Sequence, residues 1–383
     1  MSVRWNSLRT AFLFFGLLTF VLPFGAGASW LEQPRLAAIW IAALALGAFA
    51  FQETAGSTSS RNPVSGKSIA SLLFGMAALF LGAAVPLGLI SAGIQGGSAL
   101  GLWCAVLSLG FLAWGVLENA ASAAQPGGAA YLGILAPGIF GVWILYLWQV
   151  IANGFAIPPV LLPAPSDIGT AIGAAPGTLA GDFFQTVLKS VLPGYVIGNA
   201  AGFIVALLAD RLSFLQRGLL PFGNFFSSLP IVGLAPIMVM WFGFDWQSKA
   251  AIVVVMTFFP MLVNAIAGFA QTSQTERDLM RSYAASYWQT MLKVRLPAAL
   301  PFVFNALKIN STLALIGAIV AEFFGSPTIG LGFRISTEAG RMNIVMVWAA
   351  IAVAAATGSA FYGLLALLER RSAFWHPSFR RAA

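Results

Sequence analysis

Long continuous apolar runs dominate this chain, and short polar or proline-containing stretches separate them. Runs of about 18–20 apolar residues are long enough to cross a bilayer as helices. The runs are continuous rather than alternating, which is typical of helices that satisfy their own backbone hydrogen bonds in lipid. The pattern predicts ten spans, at about 10–29, 36–52, 68–92, 99–117, 129–153, 187–209, 218–242, 247–270, 298–323 and 343–368. We therefore predict an all-α polytopic membrane protein.

Composition supports this class, because 59% of residues are apolar and only 8% are charged. A soluble domain carries roughly a quarter charged residues. The net charge of +8 is spread over short loops rather than one soluble face, so it reports topology and not a nucleic-acid partner. With Cys104 and His376 as the single cysteine and histidine, the chain can form neither an intrachain disulfide nor a His/Cys metal cluster.

The distribution of basic residues predicts the orientation of the chain. Ten spans place both termini on one side. Fourteen of the 20 Lys and Arg residues fall on that side, five fall on the other, and Lys308 lies within a span. By the positive-inside rule, both termini are expected in the cytoplasm. A second apolar run follows the first almost at once, so we expect the first helix to remain uncleaved.

Two regions differ in character. Residues 1–128 hold four spans of unknown role, and residues 129–383 hold six spans and nearly all the charged loops. The break Gln125-Pro126-Gly127-Gly128 is the predicted boundary. A proline-rich external connection is expected over 153–187, and no internal repeat is evident.

One short motif suggests a nucleotide site but does not fit its full pattern. Gly66-Lys67-Ser68 looks like the end of a phosphate-binding loop, whose pattern requires glycine where this chain has Arg61. The segment also joins two membrane spans and follows no strand. We therefore expect no nucleotide site or other cofactor in this chain.

A polar, basic island from Asp278 to Pro297 separates two apolar spans on the predicted cytoplasmic side. On a helix of 100° per residue over 278–293, two faces form. The apolar and aromatic face gathers Met280, Tyr283, Ala284, Tyr287, Trp288 and Met291. The polar face gathers Asp278, Ser282, Ser286, Gln289 and Lys293. The pattern predicts an amphipathic helix that either receives a soluble partner or lies on lipid headgroups.

The island resembles the cytoplasmic EAA loop of ABC importer permeases. That pattern is E-A-A, three residues, G, nine residues, I, one residue, L-P. The spacing is intact, although most letters are replacements. Asp278 stands for the acid, Met280 for the second alanine, Ala284 for the glycine and Val294 for the isoleucine, while Leu296 and Pro297 match.

The resemblance extends from about Trp143 to Trp375, and it is to the permeases of nitrate, sulfonate, taurine and pyrimidine-precursor importers. It implies that the last six helices form a type I ABC importer permease core with a coupling loop at 275–297. The first four spans fall outside it. The matching stretches are Leu162–Ser166, Ser228–Pro230, Ala235–Pro236, Trp241–Gly243, Arg295–Pro301, Ala321–Glu322, Gly330–Gly332 and Glu369–Arg371.

The resemblance implies the partners and the mechanism. A cytoplasmic ATPase dimer would bind ATP and Mg and dock on the coupling loop, and an external binding protein would deliver the solute to a permease homodimer in the inner membrane. Tyr283, Tyr287 and Trp288 would be the buried anchors, because aromatic residues are enriched at interface hot spots. Arg281 would pair with an acidic residue of the ATPase, or it would only follow the positive-inside rule.

Several polar residues and prolines within spans are candidates for the transport pathway. Lys308 suits an anionic solute, and the alternatives are that it snorkels toward headgroups or pairs with a neighbouring helix. Glu322 is expected to tie helices or a gate, and Asn305 to form interhelical hydrogen bonds. Pro230 and Pro236 should kink or break one span.

Two other classes of function stay open. A secondary transporter would use Lys308 and Glu322 as coupling or substrate groups, and inverted repeats would favour it. A membrane-embedded enzyme or assembly factor would need a catalytic set of residues, which the sequence does not present.

Overall fold

The computed structural model describes residues 2–24, 30, 32–57, 66–123, 132–212, 214, 218, 230–325 and 328–374. Within these residues, all regular secondary structure is helical. In this described part of the chain, eight helical runs are long and apolar enough to cross a membrane, and there are two shorter apolar helices, Ser7–Leu18 and Gly233–Phe242. The prediction of an all-α polytopic membrane protein is confirmed, with eight long runs and two shorter ones in place of ten similar spans.

The chain divides into two compact units, residues 1–167 and 168–383. The first contains α1 (Ser2–Leu18), α2 (Pro34–Ser57), α3 (Gly66–Ser91), α4 (Leu100–Ala123) and α5 (Leu132–Gly154), and α6 (Pro165–Ala174) includes the division. The second contains α7 (Pro176–Phe183), α8 (Leu192–Arg211), α9 (Ile231–Phe242), α10 (Trp246–Ala270), α11 (Gln274–Ser282), α12 (Tyr287–Thr290), α13 (Leu296–Phe324), α14 (Leu331–Gly340) and α15 (Ile344–Ser372). Two π-helical segments, Phe184–Val191 and Met291–Arg295, lead directly into α8 and α13.

Large apolar side chains form the core of the first unit. Trp40 and Phe12 are at most 1% exposed. The Trp40 indole donates hydrogen bonds to Thr19 Oγ1 at 3.0 Å and to the Gly16 carbonyl at 3.1 Å, so its polar atom is satisfied inside this core. The Thr19 hydroxyl also donates to the Gly16 carbonyl at the end of α1. α1 ends at Leu18 and residues 19–24 are not helical, so the predicted continuation of the first span past Leu18 is wrong, while residues 25–29 lie outside the described part of the chain.

The fifth helix packs with the first unit. α5 contacts α3 and α4, and Val150 on α5 belongs to their apolar core. The predicted boundary at 125–128 lies outside the described residues, whereas the two compact units meet at residues 167 and 168. The assignment of residues 129–167 to a permease core stays a prediction.

In the second unit, α10 packs between α8 and α13. Glycines of α8 allow close approach, because a Cβ at Gly198 or Gly202 would lie within 2.7 Å of a backbone carbonyl of α10. α15 packs against α13 and α14.

Two predicted spans in this unit differ from the described helices in their bounds. The span at 187–209 is part of a longer helical run, Pro176–Arg211, and the expected external connection is correspondingly shorter. Of the span at 218–242, only α9 and isolated residues before it are described.

Candidate functional site

The segment that resembles the coupling loop begins with a capped helix. At the start of α11, the Glu276 amide donates to Ser273 Oγ at 3.2 Å, and the Ser273 amide donates to the Glu276 carboxylate at 2.8 Å. This capping box satisfies amide groups that a helix N-terminus otherwise leaves unpaired. The hydrogen bonds from the Ser273 side chain and backbone lower the pKa of Glu276 below its ordinary value.

The prediction of one continuous amphipathic helix over 278–293 is wrong. α11 ends at Ser282, and a second capping box starts α12, in which the Gln289 amide donates to Ser286 Oγ and the Ser286 amide donates to the Gln289 side chain. Ser286 adopts an extended conformation with a ψ of 164°, so the helical wheel cannot continue through it. The Ser-x-x-Gln spacing was a sequence signal for this second helix start.

Ala284 occupies the turn between α11 and α12 with a φ of 51°. This left-handed conformation is most easily adopted by glycine. Ala284 stands where the EAA pattern has glycine, so the turn supplies a conformational reason for that preference. The expectation that a small residue here serves close approach of a partner remains a prediction, and Ala284 itself is exposed.

The break between α11 and α12 separates the residues that were expected on one apolar face. Tyr283, Trp288 and Leu279 are 76%, 51% and 55% exposed. Met291 is 1% exposed and belongs to the core shared by α8, α10 and α13, against which Tyr287 packs. Part of the segment is thus anchored in the second unit and part is available to a partner.

The remaining residues of the predicted interface differ in exposure. Asp278 and Arg281 are exposed and form a 3.4 Å ion pair with each other. Four further residues are half-buried: Met280, Val294, Leu296 and Pro297. Pro297 is the second residue of α13, which directly follows the π-helical segment Met291–Arg295.

A partly buried ion pair joins this segment to the ends of the long helices. Arg295 donates to both oxygens of Asp210 at 2.6 Å. Tyr287 donates its phenolic proton to Asp210 at 2.9 Å, and Arg295 also donates to the Phe269 carbonyl at 3.2 and 3.3 Å. The sequence prediction missed Asp210, whose only signal was an acid beside Arg211 at the end of a predicted span.

Asparagines connect the long helices through their middle. The buried Asn310 amide donates to Asn199 Oδ1 at 2.6 Å and to the Thr257 carbonyl at 2.8 Å, so it joins α13 to α8 and α10. Asn305 donates to Asn264 at 3.3 Å. Both are interhelical contacts of the kind expected from the sequence.

Lys308 has a partner within the protein. Its ammonium group donates to the Glu369 carboxylate at 2.6 Å, and the side chains are 17% and 10% exposed. This contact between α13 and α15 corresponds to the alternative in which Lys308 pairs with a neighbouring helix. Contact with solute stays a prediction.

At the other end of α13, two buried carboxylates hold the start of α14. Glu322 accepts hydrogen bonds from Thr186 Oγ1 at 2.8 Å and from the Gly332 amide at 2.7 Å. Asp182 accepts from the Gly330 amide at 2.9 Å and from Arg334 Nε at 2.8 Å. These carboxylates satisfy the first amides of α14, so Glu322 ties helices together as expected.

Glycine is required in this connection. Gly330 has a φ of 143°, and a Cβ there would lie 2.6 Å from the Glu322 carboxylate. The hydrogen bond from Arg334 to Asp182 raises the pKa of Arg334 above its ordinary value.

The two prolines of the candidate pathway lie in or beside α9. Pro230 immediately precedes the first residue of α9, and Pro236 lies within that helix. The residues just before Pro230 are outside the described part of the chain, so the expected break there stays a prediction.

Comparison with known proteins gives the family. The family model of binding-protein-dependent transport system inner membrane components matches residues 198–373. A probable ABC transporter permease protein of Haemophilus influenzae is 32% identical over 215 residues, which are 56% of this chain and 86% of that protein. The formylaminopyrimidine transport permease protein ThiX of Halalkalibacterium halodurans is 32% identical over 203 residues, 52% and 79% of the two chains. The taurine transport system permease protein TauC of Escherichia coli is 28% identical over 248 residues, 61% and 86% of the two chains. This protein belongs to the binding-protein-dependent ABC transporter permeases, and it is a multi-pass membrane protein with additional N-terminal helices.

Proposed function

We propose that the protein forms the translocation path of an ABC importer for a small anionic or heteroaromatic solute. Relatives are named for the transport of taurine, aliphatic sulfonates, bicarbonate and formylaminopyrimidine. The solute would be delivered by an external binding protein, and two copies of this chain would line one path in the inner membrane. Both termini would lie in the cytoplasm.

The observation that carries the proposal is the two-sided character of residues 274–295. One side is fixed to the second unit by Tyr287 and Met291. The other side exposes Leu279, Tyr283 and Trp288. A segment that is fixed on one side and offers aromatic side chains on the other suits the docking of a soluble subunit.

In this proposal, the partner is a cytoplasmic ATPase dimer that holds ATP and Mg. Closure of that dimer would move the docked segment and, through it, the long helices of the second unit. The permease itself would need no cofactor. Lipid would cover the apolar faces of its membrane helices.

Docking can be tested by replacing Trp288. We expect Trp288→Ala to reduce co-purification of the partner ATPase strongly, because an aromatic anchor at an interface commonly contributes about 2 kcal/mol or more. A matched control is Trp114→Ala, because both tryptophans are 51% exposed and Trp114 lies in the first unit. Equal ATPase recovery from both variants would contradict the proposed docking surface.

The turn offers a second test of docking. Ala284→Gly should preserve ATPase recovery, because glycine adopts the left-handed conformation readily. Ala284→Asp should reduce it by placing a charge beside Tyr283. Membrane insertion of both variants is the control, since each retains the apolar spans.

A further inference from the structure

We propose that Asp210 is a positioning residue for transport, which transmits the movement of residues 274–295 to the long helices of the second unit. This inference rests on the proposed function, because it requires an ATPase that docks on that segment.

The contact geometry favours a rigid joint. Arg295 and Asp210 form two parallel hydrogen bonds of 2.6 Å between guanidinium and carboxylate. A bidentate pair fixes the orientation as well as the distance of its partners. The side chains of Arg295 and Asp210 are 15% and 10% exposed, so water screens the pair little.

Three helix ends meet at this pair. Asp210 lies in the last turn of α8, and Arg295 immediately precedes α13. Arg295 also donates to the carbonyl of Phe269, the next-to-last residue of α10. Carbonyl groups in the last turn of a helix have no partner within the helix, so Arg295 satisfies one that α10 leaves open.

Tyr287 connects residues 274–295 to the same ion pair by a second contact. It is the first residue of α12, and its hydroxyl donates to Asp210 at 2.9 Å. The Arg211 guanidinium lies 5.9 Å from the centre of the Tyr287 ring. A push on exposed Trp288, the next residue, would therefore reach α8 through Tyr287 and Asp210, whereas α13 continues the same helical run.

The single native cysteine makes a direct experiment possible. Cys104→Ser gives a cysteine-free chain, into which Leu192→Cys is introduced. Leu192 is 44% exposed and is the first residue of α8, at the opposite end of that helix from Asp210. In the complex with the ATPase, the maleimide labelling rate of this cysteine is compared without nucleotide and after trapping with Mg, ATP and vanadate.

With Asp210 intact, we expect the two labelling rates to differ. In Asp210→Asn, the difference should disappear while the ATPase still co-purifies and hydrolyses ATP. Asp210→Glu, which keeps the carboxylate, should restore the difference. Arg341→Gln, which removes the ion pair of an exposed arginine with the buried Glu338, should leave the difference unchanged.

Tyr287→Phe covers the case in which Asp210→Asn does not fold, since it removes one hydroxyl and keeps the ion pair. It should reduce the difference in rates without releasing the ATPase. If the difference between the two labelling rates is not reduced in Tyr287→Phe or Asp210→Asn, the role of Asp210 is overturned and the proposed function still stands. Failure of the parent chain to bind an ATPase would overturn the proposed function and this inference with it.

Discussion

The helices of the two units pack in different ways, which is seen in the atoms that surround their glycines. In the first unit, a Cβ at Gly82 or Gly47 would meet the end of a side chain, Leu109 Cδ2 or Phe12 Cζ. In the second, a Cβ at Gly198 or Gly202 would meet backbone atoms of α10 at 2.7 and 2.4 Å. The first unit packs large side chains into gaps, whereas α8 and α10 of the second pack nearly backbone to backbone.

The polar contacts between helices also differ between the two units. Asn119 in the first unit donates to Ser71 at 2.6 Å and links α4 to α3. Asn310 in the second joins three helices, and ion pairs tie both α13 and its preceding segment to other helices. Directional contacts can be exchanged between discrete arrangements, as alternating access requires. These contacts give the second unit the directional links that the proposed transport movement would exchange.

The largest expected effect comes from breaking the Lys308–Glu369 pair. Lys308→Met should destabilise the second unit by about 3–5 kcal/mol, because it leaves the carboxylate of Glu369 without its charged partner. Thermal unfolding in detergent measures the loss.

The double variant Lys308→Met/Glu369→Gln should recover most of that stability. If the double variant is stable but no longer transports, Lys308 also contacts solute. If Lys308→Met is as stable as the parent, the pair does not hold α13 to α15.

A glycine exchange tests the backbone packing directly. Gly198→Ala should cost about 1–3 kcal/mol, because the new methyl group overlaps Thr257 and the Val254 carbonyl. Gly82→Ala should cost less, since the Leu109 side chain can rotate away. Equal unfolding temperatures for the two variants would remove the contrast between the units.

Paired asparagine variants sharpen the polar contrast. Asn310→Leu should cost about 1–2 kcal/mol, because two acceptors on neighbouring helices lose their donor. Asn119→Leu should cost less, since the hydrogen bond to Ser71 that it removes links one neighbouring helix and not two. A larger cost at Asn119 would reverse the expected order.

The smallest effect concerns the capping box at α11. Ser273→Ala should cost α11 about 1 kcal/mol locally, measured as faster amide hydrogen exchange over 274–282. Because the pKa of Glu276 is lowered in the folded segment, its stabilisation is complete above the unfolded pKa and is lost as pH falls through the folded pKa. The variant loses the side-chain hydrogen bond but keeps the backbone amide at position 273, so this pH dependence should weaken. Exchange rates that equal those of the parent above and below the folded pKa of Glu276 would contradict the capping role.

The sequence allowed the membrane class and most helices to be predicted, because apolar runs are local signals. The coupling role of residues 275–297 stays a prediction. The sequence did not predict the pair of Asp210 with Arg295, which are 85 residues apart and meet only through packing. The two π-helical segments and the left-handed Ala284 were missed because a wheel of 100° per residue assumes uniform helix. Ser286 and Gln289 could have revealed the break, since their spacing is a capping signature.

The most direct test of the central claim is solute uptake into vesicles that contain the permease with its ATPase and binding protein. A panel of taurine, an aliphatic sulfonate, bicarbonate and formylaminopyrimidine covers the solutes named for the relatives. We predict that uptake requires ATP and the ATPase subunit and is lost in Trp288→Ala. Uptake that follows an ion gradient and continues without ATP or the ATPase would contradict the account and favour a secondary transporter.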